Sequence, residues 1–77
     1  MKRTILNQLN AVAGNIKSMR LHRNYTQEYI AYKLGISQNA YSKIELNYTR
    51  ITVDRLFHIA EILEVDFSTL VGHQKVA

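Results

Sequence analysis

Four polar side chains, Gln38, Asn39, Ser42 and Lys43, stand within one short stretch of chain. If that stretch is a helix, 38 and 42 lie about one turn apart, as do 39 and 43, so all four share a face. Gln and Asn each present a donor beside an acceptor, the pattern that pairs with adenine, and Lys donates to guanine. A helix face that serves only solubility more often carries Glu and Lys. Neutral amides at the N-terminal end of the segment suit the reading of base edges in a DNA major groove; an ordinary solvated face is the competing interpretation.

The elements that must hold those side chains are legible in the apolar spacing. Thr26 is a good N-cap for a helix running through Leu34, with Ile30, Ala31 and Leu34 on its inner side. Gly35 ends it, as glycine does where the chain turns left-handed. Only Ile36 separates Gly35 from Ser37, the next N-cap, and a helix follows from Gln38 to about Glu45 with Tyr41 and Ile44 facing inward. Two short helices joined by so brief a turn make a helix-turn-helix. The short turn forces a steep crossing, so the second helix stands proud and fits a major groove roughly 12 Å wide. Ala31 lets the two backbones approach, while Ile30, Leu34, Ile36 and Ile44 hold the pair to the core.

Further helices frame this unit. Ile5, Leu9, Val12, Ile16 and Met19 recur at spacings of 4, 3, 4 and 3, one helical stripe from Thr4 toward His22. Gly14 inside it either bends the helix or splits it. Leu46 to Ile51 reads as a loop, with Asn47 the residue best able to take a positive φ. Thr52 caps a fourth helix whose buried face is Val53, Leu56, Ile59, Ala60 and Leu63. Asp66 caps a short fifth with Phe67, Leu70 and Val71, ended by Gly72, and residues 73–77 fray. Nothing alternates with period two, so strands are not expected.

Composition bounds the rest. The chain has 77 residues, enough for one small domain. It has no cysteine, which excludes disulfides and thiolate metal sites. His22, His58 and His73 lack ligand spacing, so no metal is expected. An enzyme needs a nucleophile and base converging in a pocket, for which a domain this small has little room; neither catalysis nor a cofactor is expected. No apolar run approaches the roughly 20 residues of a membrane span. Lys2 and Arg3 ahead of an apolar stretch ending in Ala11-Val12-Ala13 mimic a secretory signal, but Asn7, Gln8 and Asn10 interrupt it, so a cytoplasmic protein is expected. Residues 1–50 carry eight Lys/Arg against two acids, and residues 51–77 two against four. A basic front and an acidic rear suit one face meant for a polyanion.

The run Thr26-Gln-Glu-Tyr-Ile-Ala-Tyr-Lys-Leu-Gly-Ile-Ser-Gln-Asn-Ala-Tyr-Ser-Lys-Ile-Glu45 resembles the lambda-repressor/Cro-like helix-turn-helix family of regulators. The resemblance extends over about Ile16 to Gly72 and includes Leu56-Phe-His-Ile-Ala-Glu-Ile-Leu-Glu-Val-Asp66. It implies an all-α, compact five-helix domain over residues 16–72, preceded by a helical extension over 1–15 and followed by the tail 73–77. It implies that Gln27 touches a backbone phosphate and that Gln38, Asn39 and Lys43 read bases, with Ser37 and Ser42 in the same DNA-binding set. Asn47, Tyr48, Thr49 and Arg50 would grip phosphates from the following loop. Arg20 and Glu45 match a family pair that forms a structural salt bridge between the first and third helices. Leu46-Asn47 departs from the family's polar residue and glycine, Ile51 replaces its proline, and the N-terminal extension is longer than the minimal domain.

These readings lead to a sequence-specific regulator of double-stranded DNA, a repressor acting as a homodimer. The alternative is an antitoxin-like interaction protein that binds a protein partner as well as DNA. The stripe of Ile5, Leu9 and Val12 serves one of three ends: docking on its own domain, pairing with a second chain, or holding another protein. Lys2 and Arg3 either reach DNA as an arm or are simply solvated. Tyr29 and Tyr32 lie on the outward side of the second helix, where packing against the N-terminal segment is one option.

Overall fold

A computed structural model describes residues 2–72. Met1 and the tail 73–77, with His73, lie outside the described residues, as do the side chains of Lys2, Arg3, Thr4 and Leu6. Five helices follow in order: α1 (Lys2–His22), α2 (Gln27–Leu34), α3 (Gln38–Glu45), α4 (Val53–Leu63) and α5 (Phe67–Val71). No strand forms among the described residues. α1 packs on α3, α4 and α5, α2 packs on α3 and α4, and α4 packs on α5.

Three of the helix starts are closed by hydroxyl caps. Thr26 Oγ1 accepts from the Tyr29 N–H at 2.9 Å, Ser37 Oγ from Ala40 N–H at 3.0 Å, and Thr52 Oγ1 from Arg55 N–H at 3.1 Å. Each satisfies one of the donors a helix leaves free at its N-terminus. Asp66 stands at the fourth such position, but its side chain makes no capping bond. There it marks the start of α5 by its extended backbone alone.

Gly35 takes φ 74° and ψ 29°, and its N–H reaches back to Ala31 and Tyr32 carbonyls. The left-handed turn is what redirects the chain from α2 to α3 within three residues. Asn47 takes φ 59° after α3, and Asn24 and Glu64 take φ 62° and 60° after α1 and α4. Glu64 is held there by Arg23, whose Nη2 donates to the Glu64 carbonyl at 3.0 Å. α1 runs unbroken through Gly14.

Ile16, Ile30, Tyr41, Ile59, Leu63 and Leu70 are fully buried, and draw one side chain or more from every helix into a single core. α1 therefore docks on its own domain through Ala13 and Ile16, with Val12 and Met19 packed against the core edge. Ile5, at the far end of the same stripe, is 52% exposed. The expected buried face of α4 needs one correction. Val53 is 62% exposed, because the first turn of α4 stands clear of the helices that cover Leu56, Ile59, Ala60 and Leu63. Asn15 fixes α5 on α1, its Nδ2 donating to the Leu70 carbonyl at 2.8 Å.

Candidate nucleic-acid interface

The apolar and polar residues of α3 divide cleanly by side. Tyr41 and Ile44 point into the core, and the opposite side leaves Gln38, Asn39, Ala40 and Lys43 exposed with Ser42 half-buried beside them. Ser37, whose hydroxyl is engaged as the cap, is exposed at the head of the same face. The structure thus gathers Ser37, Gln38, Asn39, Ser42 and Lys43 on one surface of a helix that begins at a tight turn.

The loop after α3 extends that surface. Tyr48, Thr49 and Arg50 are exposed, Tyr48 to 76%. Asn47 behaves differently. Its Nδ2 donates to Asn10 Oδ1 at 2.7 Å, so it ties the loop to α1. A left-handed residue here lets the Tyr48 N–H fold back on the Lys43 carbonyl at 2.8 Å and closes α3.

A shallow groove beside α3 is lined by Ser37, Asn39, Lys43, Thr49 and Arg55. Arg55 comes from the first turn of α4 and was not among the residues singled out from the sequence. It adds a second cation next to Lys43 at the mouth of the loop. The only signal in the sequence was a basic residue three positions after the Thr52 cap, which carries no meaning until α4 is placed against α3.

Beneath the exposed face lies a buried carboxylate. Glu45 receives Arg20 Nε at 2.6 Å and Arg20 Nη2 at 3.1 Å, a paired fork-to-carboxylate contact. Gln27 Nε2 donates to it at 3.1 Å and the Tyr41 hydroxyl at 2.5 Å. The third guanidinium nitrogen, Nη1, donates to the Tyr25 carbonyl at 2.9 Å. The side chains of Arg20 and Glu45 are only 9% and 3% exposed. One carboxylate therefore pins α1, α2 and α3 together directly behind the exposed face.

The charges respond as expected for such a site. Burial alone pushes the Glu45 carboxyl up, but the hydrogen bonds from Arg20, Tyr41 and Gln27 outweigh it and hold it below its ordinary value. The Tyr41 hydroxyl is pushed well above the usual phenol range, first by burial and then by its bond to Glu45. The hydrogen bond to Glu45 raises Arg20 further despite its desolvation, so the guanidinium stays charged.

Gln27 thus spends its amide nitrogen on Glu45 rather than leaving it free at the head of α2. Tyr29 packs on Tyr25, ring centroids 4.6 Å apart, and Tyr32 is 80% exposed. Among the described residues no group of His, Asp and Glu is arranged to hold a metal. No helix among them is long and apolar enough to cross a membrane.

Comparison with known proteins agrees with this geometry. A family model described as helix-turn-helix matches residues 16–70, from the middle of α1 to α5. No curated protein and no solved structure matches the chain.

Proposed function

Because this chain belongs to the lambda-repressor/Cro-like helix-turn-helix family of DNA-binding transcriptional regulators, we propose that it is a sequence-specific repressor that binds its operator as a two-fold dimer. The observation that carries this reading is the division of α3: Tyr41 and Ile44 anchor it while Gln38, Asn39, Ser42 and Lys43 face outward. α3 enters the major groove, and Gln38, Asn39 and Lys43 read base edges. Lys43 shares its groove with Thr49 and Arg55. Thr49 and Arg55, with Ser37, Tyr48 and Arg50, grip the sugar-phosphate backbone along the rim, and the start of α2 at Gln27 meets a phosphate through its backbone N–H groups. Asn47 acts one step back, by holding the loop in shape through Asn10.

Selection from a random DNA pool, followed by a salt titration on the selected site, tests the reading. A palindrome with half-sites about one DNA turn apart is the expected result. Binding without any consensus would overturn sequence specificity.

A second reading keeps the DNA face and adds a protein partner at Ile5, Leu9 and Val12. The half-exposed Ile5 and the groove shared by Leu9, Val12 and Val71 favour it. A stoichiometric partner released by changing Ile5 to a charged residue would support this antitoxin-like role.

A further inference from the structure

Phe57 and Phe67 stack where α4 meets α5, with ring centroids 4.2 Å apart and planes at 24°. Phe57 is 55% exposed, so the stacked pair presents an apolar aromatic surface to solvent. The shallow groove that the pair lines is bordered by Asp54, Glu61 and Asp66, with His58 among them. The ion pairs among the described residues are Arg20–Glu45 and Arg23–Glu64, so none of these three carboxylates is matched by a cation among the described residues. An aromatic centre with an acidic rim is the wrong chemistry for DNA and the right chemistry for a basic segment that carries an apolar side chain.

Such a segment opens α1 on the same molecule. A second groove, between α1 and α5, is lined by Leu9, Val12 and Val71. Val71 follows Phe67 by one turn of α5, so the two grooves adjoin along that helix. The exposed Ile5 continues the second groove toward the start of α1. The sequence there begins Lys2-Arg3 and holds no acid before Glu28.

Two complementary patches side by side are what a two-fold axis requires: rotation about an axis between them lays each on the other's counterpart, twice. We propose that two copies of the chain pair in this way, the Lys2–Leu9 end of α1 from one protomer covering the acid-rimmed Phe57–Phe67 pair of its partner. The proposal rests on the dimer reading above and assigns its interface. Pairing the aromatic patch with itself would instead bring the three carboxylates of each copy together, which like-charge repulsion opposes. No residue of α2 or α3 enters either patch, so both copies keep their DNA faces open.

The test is sedimentation equilibrium of the full chain at low and high salt. Helical circular dichroism serves as the folding control for each variant. The altered side chains Phe57 and Glu61 are exposed, so their replacement leaves the core intact. Wild type is expected to dimerise, more weakly at high salt. Phe57→Ser should weaken dimerisation about tenfold or more, as the loss of an interface anchor does. Glu61→Lys alone and Lys2→Glu with Arg3→Glu should each weaken it, and the three reversals together should restore it. A wild-type dimer untouched by Phe57→Ser and by both reversals would overturn this interface while leaving the dimer standing. A chain that stays monomeric at every concentration and on operator DNA would overturn the dimer reading itself.

Discussion

Tyr41 and Glu45 sit one turn apart in α3, and the tyrosine hydroxyl donates to Glu45 Oε2 at 2.5 Å. Arg20 Nε reaches the same oxygen at 2.6 Å. α3 therefore carries both its own buried anchor and the acceptor that fastens it to α1. Tyr41 fills the core with its ring and orders the charge pair with its hydroxyl. The side of α3 that meets solvent is consequently set from behind by a network that never touches it.

Tyr41→Phe keeps the ring and removes one donor from Glu45. A hydrogen bond to a charged group contributes about 1.5–3 kcal/mol. Chemical unfolding should show a loss of that order with an unchanged m-value, because the core volume is preserved. An unchanged midpoint would mean that the hydroxyl is expendable to the network.

Arg20→Ala strands a carboxylate that is 3% exposed. Removing one partner of a buried pair costs about 3–5 kcal/mol, a large share of the stability of so small a domain. The variant is expected to be largely unfolded near 37 °C by circular dichroism, with ligand-free helicity recovered by cooling or by a stabilising salt.

Glu45 also sets an acid sensitivity. Its folded value lies below the ordinary 4.5, so folding favours the charged form. That contribution is complete above the unfolded value and is lost as pH falls through the lower folded one. Glu45→Gln should therefore be clearly less stable than wild type at pH 7, and the gap should narrow as pH drops below about 4.5. Stability curves that stay parallel down to the acid transition would contradict the charge network.

On the DNA face, Gln38→Ala or Asn39→Ala should cost about 1–3 kcal/mol at a single base pair and relax specificity there. Arg55→Ala should weaken every sequence alike and reduce the slope of log affinity against log salt by about 1. A loss at Arg55 confined to one base pair would reassign it from phosphate to base.

Two glycines should respond in opposite directions. Gly14 lies inside α1, and a Cβ built there meets nothing within 4 Å. Gly14→Ala should stabilise the domain by about 0.5–1 kcal/mol. Gly35 has the same open space but a φ of +74°. Gly35→Ala should destabilise by about 1–2 kcal/mol through the left-handed backbone alone. Paired thermal melts distinguish the two.

Much of this architecture is legible in the chain because it is written in local terms. Caps at Thr26, Ser37 and Thr52, the left-handed turn at Gly35 and the positive φ at Asn47 depend on a few neighbouring atoms, and residue type signals them directly. The inward Tyr41 and Ile44 and the outward amides of α3 follow from helical period. Gln38, Asn39 and Lys43 could be singled out from the same pattern. By contrast, the sequence read Val53 as core because it is apolar at a helical position, and the structure leaves it in solvent because no neighbouring helix covers that first turn.

The residues on their own determined the helices, the turn between α2 and α3 and the composition of the exposed face, since spacing and caps act over one or two turns. Only the tertiary structure decided the contacts between residues far apart in sequence. Gln27 joins Arg20 on Glu45, Asn10 meets Asn47, Arg55 draws up beside Lys43, and Phe57 stacks on Phe67 under an acidic rim. Hydrogen-bond partners are chosen by where packed helices bring their side chains, and no local propensity encodes that meeting.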